Sequence, residues 1–232
     1  SAEINGQPKL SLAGWWLALI SLPLFQFLLL RWYFRLFIWS RFLWQVSKIS
    51  LNLIPTNPDR ACGLGFLAKV CYVFSPLVLA QGVLLAGVLS ERIFFAGIPV
   101  TAFKMEIIGM VVLILLSILG PLLVFTPQII AARLNGLDEY GTLSHKYVRA
   151  FEFKWLRGGK AVDESFIGSA DIQSLADLSN SFEIIKSTRA FPFDIKNVIQ
   201  LIVITVLPIA PLLLTMFSFE DLLLKMLNIL FR

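Results

Sequence analysis

Charge is what this chain has least of. Only 15% of its 232 residues are Asp, Glu, Lys or Arg, against about 25% in soluble domains. The deficit is concentrated: Leu12–Leu30, Val70–Ser90, Ile107–Ala132 and Asn197–Phe219 hold no charged residue. Proton- and ion-coupled transporters place ionisable groups inside their spans, so a proton relay through these stretches is disfavoured. Histidine is nearly absent as well. His145 stands alone, which excludes a two- or three-histidine metal site within one chain, and the two cysteines do not complete one. Cys62 and Cys71 are nine residues apart. On one helix they would face opposite sides, ~13 Å apart along the axis, beyond disulfide reach. They read as small core residues and leave the redox compartment open. Gly63-Leu64-Gly65 lacks the GxxxxGK[ST] frame of a phosphate loop. Ser144 and His145 are adjacent and diverge on a helix, so a catalytic triad would need a serine from elsewhere. The carboxylate neighbours Asp138-Glu139, Asp163-Glu164 and Glu220-Asp221 suit solvated surface or helix capping. No catalytic constellation, metal site or cofactor site emerges, and the chain does not read as an enzyme. There is no internal repeat, no low-complexity tract and no inverted pair of spans. Ser1–Lys9 lacks the basic segment of a signal peptide, and the chain is expected to begin inside a longer protein.

What is present is apolar. The chain is 57% hydrophobic with a mean hydropathy of +0.79. A hydrocarbon core ~30 Å thick needs ~20 apolar helical residues, and the four charge-free stretches are near that length or above it. Each contains proline: Pro23, Pro76, Pro121 with Pro127, and Pro208 with Pro211. Proline frees a backbone carbonyl and can kink a helix. The polar residues inside the stretches are few. Gln26, Gln81 and Gln128 stand out, because an amide in the bilayer must find another helix or water. They are either interhelical glue or the lining of a pore or pocket.

The cations are asymmetric. Arg31, Arg35, Arg41, Lys48, Arg60 and Lys69 follow the first stretch, and nine more lie in 133–196, so fifteen of the twenty Lys and Arg fall in two connections. The positive-inside rule puts those connections in the cytoplasm and both ends of the chain in the periplasm, with a label site near Ser1 on the periplasmic side. The cations flank apolar spans, which fits membrane topology and not nucleic-acid binding.

Beyond the first stretch, Arg31–Lys48 stays helix-compatible. Its cations and Gln45 lie within a ~140° arc, with Trp32, Leu36, Trp39 and Leu43 on another side. Arg31, Arg35, Arg41 and Lys48 are therefore candidate contacts for lipid headgroups or anions. Asn57-Pro58-Asp59 signals a turn, and Gly63 and Gly65 allow close backbone approach as the second span begins. FFAGIPVTAF (94–103) connects the second and third spans and could dip into the outer interface. Leu134–Leu156 continues the third span outward until Arg157-Gly158-Gly159-Lys160 breaks it. Ser169–Lys186 predicts an amphipathic helix, capped by Ser169 or Asp171, with Ile172, Leu175, Leu178 or Ala176, Phe182 and Ile185 at helical spacing. That stripe packs on its neighbours or, through Leu175 and Phe182, on a partner helix. Ser218–Arg232 opens with a capping box and predicts an interfacial helix.

Three segments, LLLRWYFRLFIWSRFLW (28–44), NPDRACGLGFL (57–67) and DIQSLADLSNSFE (171–183), give the chain a resemblance to an uncharacterised family of multi-pass inner-membrane proteins of Gram-negative bacteria. The resemblance covers most of the chain. It implies a bacterial inner membrane and a further N-terminal membrane portion, and it carries no reaction or residue roles.

The expected fold is all-α. Four proline-kinked transmembrane helices are joined by a small helical cytoplasmic subdomain and a C-terminal interfacial helix. The expected organisation is 1–132 for the first three spans with a basic connection at 31–69, 133–196 for the cytoplasmic subdomain, and 197–232 for the fourth span and amphipathic tail. The leading functional expectation is a homo-oligomeric, channel-like or transport-associated membrane protein surrounded by lipids. The alternative is a membrane scaffold or signalling subunit that binds a cytoplasmic protein through the 169–186 helix.

Overall fold

The computed structural model of the chain describes residues 2–4, 7–9, 11–159 and 170–213. The N-terminus carries a short antiparallel ribbon, β1 (Ala2–Ile4) with β2 (Gln7–Lys9). The remaining described elements are helical: α1 (Leu12–Trp16), α2 (Leu22–Val46), α3 (Val70–Val73), α4 (Ser75–Ala96), α5 (Lys104–Leu119), α6 (Thr126–Leu156), α7 (Ala170–Lys186), α8 (Ile195–Val206) and α9 (Ala210–Leu213). Four helical runs are long and apolar enough to cross a membrane: Leu12–Val46, Ser75–Ala96, Val100–Leu156 and Ile195–Leu213. The chain is a multi-pass membrane protein of the all-α class. The expected Ser169 cap, the pairs Asp163-Glu164 and Glu220-Asp221, and the helix over Ser218–Arg232 lie outside the described residues.

Proline explains how the runs are built. A proline inside an α-helix loses a hydrogen bond and presses its ring on the carbonyl four residues back. The chain meets this by changing helix type beside most of them. A π-turn over Leu17–Ser21 precedes Pro23, with Leu22 N–H reaching the Leu17 carbonyl. Tight 3-10 turns over Gly120–Phe125 and Leu207–Ile209 hold Pro121 and Pro208 in their first turns. Pro76 and Pro127 sit in the first turns of α4 and α6, where the missing N–H has no partner to lose. The second span therefore differs from the single helix expected from Val70. It breaks at Phe74 (φ −90°, ψ 1°) and restarts at Ser75, since Pro76 has no N–H for the carbonyl four residues back and its ring would press on it.

By contacts the described chain forms two compact units. The first comprises Ser1–Leu43, Phe74–Ser117 and Ile202–Arg232. Its core joins Leu89, Val100, Phe103, Ile209 and Leu212, with Leu85, Ala86, Ile93 and Ile107 against them. The 94–103 connection feeds this core: Gly97 ends α4 in the left-handed conformation (φ 65°), and the following 3-10 turn buries Val100 and Phe103. Gly82 packs directly on the Thr205 carbonyl and the Pro208 ring, so two helices meet there backbone to backbone. Trp32 meets Phe74 edge-on at 6.2 Å.

The second unit comprises Trp44–Val73 and Ile118–Leu201. Its spine is α6, which runs through Gly136 and Gly141 without breaking. A Cβ at Gly136 would come within 2.7 Å of the Pro55 side chain and 3.3 Å of Ile185, so the glycine lets the loop and α7 close on α6. As expected from the glycine pair, α6 ends at Leu156 with Gly158 at φ 80°. Helix α8 opens with a reciprocal cap: Ile195 N–H donates to the Asp194 side chain at 2.7 Å, and Asp194 N–H to the Asn197 side chain at 2.9 Å. Phe191 and Phe193 stack at 4.8 Å around buried Pro192.

Candidate functional site

The densest polar constellation belongs to the second unit and centres on Asp59. Pro58 and the Asn57 side chain start the turn, with Asp59 N–H donating to Asn57 Oδ1 at 3.1 Å. The chain then coils around the Asp59 carboxylate. Ala61 and Gly63 N–H donate to its Oδ1 at 2.8 and 3.1 Å, and Gly65 N–H donates to Oδ2 at 2.8 Å. Coiling this tightly forces Arg60 and Cys62 to positive φ, 55° each, and Gly63 to 94°. Non-glycine residues hold that region at ~1–2 kcal/mol each, and the three charge-assisted hydrogen bonds offset the strain. Gly65 is needed for space, since a Cβ there would sit 3.0 Å from Asp59 Oδ2.

A residue from the far end of the unit locks the turn. Arg189 N–H donates to the Arg60 carbonyl at 2.9 Å, and its guanidinium donates to the Asp59 carbonyl at 3.0 Å and pairs with Asp194 at 3.3 Å. Two residues of α6 make similar contacts. Arg133 donates to the Lys186 carbonyl at the end of α7 at 2.8 Å. Gln128 Nε2 donates to the Ser47 and Ile49 carbonyls just beyond α2, at 2.6 and 3.1 Å. Helix ends leave carbonyls without intrahelical partners, and these side chains satisfy them.

The chemistry of this site is that of a clamp. The Asp59 carboxylate is engaged by three backbone donors. Cys62 is buried, and burial pushes its thiol above the ordinary cysteine range; the Asp59 charge adds to the rise and Arg133 opposes it. A protonated, enclosed thiol is a poor nucleophile. Cys62 lies in the turn and Cys71 in α3; both are buried and neither is in a disulfide among the described residues, in line with their reading as small core residues. Ser144 is half-buried while His145 is exposed, so the two side chains diverge. A second polar cluster fixes the start of α7. Lys154 Nζ and Trp155 Nε1 donate to Asp171 Oδ2 at 2.7 and 3.1 Å, and the Tyr147 hydroxyl donates to the Asp171 carbonyl at 3.1 Å.

The remaining residues singled out in the sequence are spread over the fold. Gln26 is exposed on α2 and has no hydrogen-bond partner among the described residues. Gln81 is half-buried on α4, with its Nε2 enclosed and without a hydrogen-bond partner among the described residues. Gln128 holds the chain just beyond α2. Arg31, Arg35, Arg41 and Lys48 are exposed; Arg35 lies over the Trp32 ring at 5.4 Å and Lys48 over Trp44 at 3.5 Å. Leu175 and Phe182 are half-buried, and the Phe182 ring lies 3.7 Å from where a Gly141 Cβ would be, so this stripe faces α6. The Arg189 latch was missed from sequence. It lies 130 residues from Asp59, and no local pattern points to it. No family model, curated protein or solved structure matches the chain.

Proposed function

We propose that the chain is one subunit of a homo-oligomeric, channel-like or transport-associated assembly of the bacterial inner membrane. One observation carries the reading. The most apolar window of the first helical run has none of its residues buried, yet the run presents Gln26, unpartnered, ~7 Å inside its charged end at Arg31. An unsatisfied amide in hydrocarbon is costly, and a symmetric contact between copies satisfies it without any change of sequence. Gln81, with its enclosed amide nitrogen, is a second candidate for a polar path.

The orientation rests on charge. Connections 31–69 and 133–196 face the cytoplasm, and residues near Ser1 face the periplasm. The hydrogen bonds from Gln128 to 47–49 and from Arg189 to 59–60 support placing both connections on one side. The scaffold alternative retains only the exposed side of α7 for a partner, because Leu175 and Phe182 already face α6.

Cross-linking tests the contact and liposome flux tests the activity. Gln26→Cys is expected to form inter-subunit disulfides in native membranes, and purified oligomer in liposomes is expected to pass ions or small solutes. Flux should fall several-fold in Gln26→Leu. A monomer in mild detergent with no cross-link overturns the assembly. A confirmed oligomer without flux overturns the channel reading.

A further inference from the structure

The second half of α2 carries an unusual combination. Three arginines on it, with Lys48 just past its end, lie among large exposed aromatics: Phe34 at 63%, Phe37 at 61%, Phe42 at 50% and Trp44 at 55% exposure. No acidic residue occurs between Glu3 and Asp59, and the Asp59 carboxylate is enclosed by its own turn. None of Arg31, Arg35, Arg41 or Lys48 forms an ion pair among the described residues. Four cations elsewhere have an acidic partner: Lys154 with Asp171, Arg157 with Glu152, Lys186 with Glu183 and Arg189 with Asp194. Four uncompensated cations interleaved with bare aromatic rings suit neither water nor hydrocarbon alone.

Length adds a constraint. The run Leu12–Val46 has 35 residues, ~52 Å of helix, while hydrocarbon plus headgroup layers span ~40–45 Å. Its charge-free part, Leu12–Leu30, is ~28 Å and fills the hydrocarbon by itself. The remainder of the run, from Arg31 onward, belongs to the interface, where phenyl and indole rings sit at the acyl boundary and long cationic side chains reach the phosphates. A run tilted by ~40° brings Arg31 to Arg41 to within a side-chain length of that layer, and long cationic side chains cover the difference.

The faces are also separate. At ~100° per residue, buried Leu36 and Leu43 define the side of α2 turned to its own chain. Gln26 lies ~90° from that side, and Arg31 and Arg35 lie ~140–180° from Gln26; Arg41 is only ~60° from Gln26 in angle but ~22 Å further along the axis. Arg31 and Arg35 by angle, and Arg41 and Lys48 by distance along the helix, are therefore apart from the proposed contact between copies.

We propose that the basic half of α2 is a binding surface for anionic phospholipid, with Arg31, Arg35, Arg41 and Lys48 holding the headgroup phosphates and Phe34, Phe37, Phe42 and Trp44 packing on the acyl boundary. Charge complementarity selects the occupant. Each cation at a membrane surface adds to anionic preference, and the sum is sensitive to salt. An annulus of this kind would fix the depth and tilt of the first span.

The test uses the full chain reconstituted in vesicles, with quenching of Trp32, Trp39 and Trp44 by brominated phosphatidylglycerol compared with brominated phosphatidylcholine. The wild type is expected to favour phosphatidylglycerol by about fivefold or more, with the preference shrinking at high salt. The variant R31Q/R35Q/R41Q/K48Q is expected to quench equally with both lipids while its helical circular dichroism is unchanged. Should that variant fail to fold, R41Q/K48Q, which leaves the edge of the charge-free run intact, is expected to lose about half of the preference in logarithmic terms. Equal quenching in the wild type overturns the proposal, as does full preference retained in either folded variant. Efficient cross-linking between copies through Phe42→Cys would assign the face to a second subunit and overturn it as well. Because Gln26 lies elsewhere on the helix, loss of lipid preference leaves the oligomer intact, and failure of the oligomer leaves lipid preference intact.

Discussion

Asp59 shows how a single carboxylate can fold a loop. Its two oxygens take three backbone N–H groups, and two non-glycine residues accept left-handed geometry in consequence. Asp59→Ala leaves those donors without partners and is expected to lower stability by about 3 kcal/mol in detergent unfolding. Asp59→Asn keeps one acceptor oxygen and should fall between Ala and wild type; an Ala variant as stable as wild type would show the turn to be held by something else. Cys62 gives an independent reading of the same loop. Burial raises its pKa above the unfolded value, so its protonated form is favoured by folding. That contribution is complete below about pH 9 and is lost as pH climbs further. Stability should therefore decline on the alkaline side, and less so in Cys62→Ala. Maleimide at neutral pH is expected to spare both thiols in the native protein and to modify both after unfolding in dodecyl sulfate. Rapid native labelling would contradict the enclosed geometry. The Asp59 turn was partly legible beforehand. Asn-Pro-Asp announces a turn and the two glycines announce close approach, but three donors converging on one side chain depend on dihedral angles that no spacing rule supplies.

At the scale of elements, glycines separate contact from open lipid. Gly82 touches the Thr205 carbonyl, whereas nothing lies within 4 Å of a Cβ at Gly87 on the same helix. Gly82→Ala must push two backbones apart and is expected to cost about 1–3 kcal/mol, while Gly87→Ala should be neutral or slightly stabilising. The pair can be compared in one thermal-melt experiment, and equal behaviour would refute the close crossing. Helix extents were readable where the signal is local. The continuation over Arg31–Lys48 shows in its periodic cations, the break at 157–160 in its glycine pair, and α7 in its recurring apolar residues. The π-turn at Leu17–Ser21 and the break at Phe74 were not readable, because a proline can be met by a kink, a change of helix type or a fresh start, and neighbours decide among these. Gln128 was a reasonable candidate for a lined path by composition. Its role at the end of α2 depends on residues 79 and 81 positions away, a distance at which sequence alone gives no register.

At the scale of the molecule, boundaries drawn along the sequence at 132 and 196 differ in kind from the units defined by contacts. The units interleave along the sequence, changing at 43/44, 73/74, 117/118 and 201/202. Labelling from the two sides of the membrane checks this. Single cysteines at Ser50 and His145, both exposed, are expected to react with an impermeant maleimide from the same side, and one at Phe95, 90% exposed, from the other. The buried native thiols contribute little background. Labelling of Ser50 and His145 from opposite sides would overturn the arrangement. The Asp59 turn has a last consequence, in time. It closes with groups from residues 57–65 alone, so it can form as soon as that stretch is synthesised. The Arg189 guanidinium that donates to it is 130 residues downstream, which at ~5–20 residues per second arrives roughly 7–25 s later. A nascent chain would therefore hold a finished loop with two open carbonyls until its final connection is made. The arrival of one arginine would mark the moment when early and late parts of the second unit are joined.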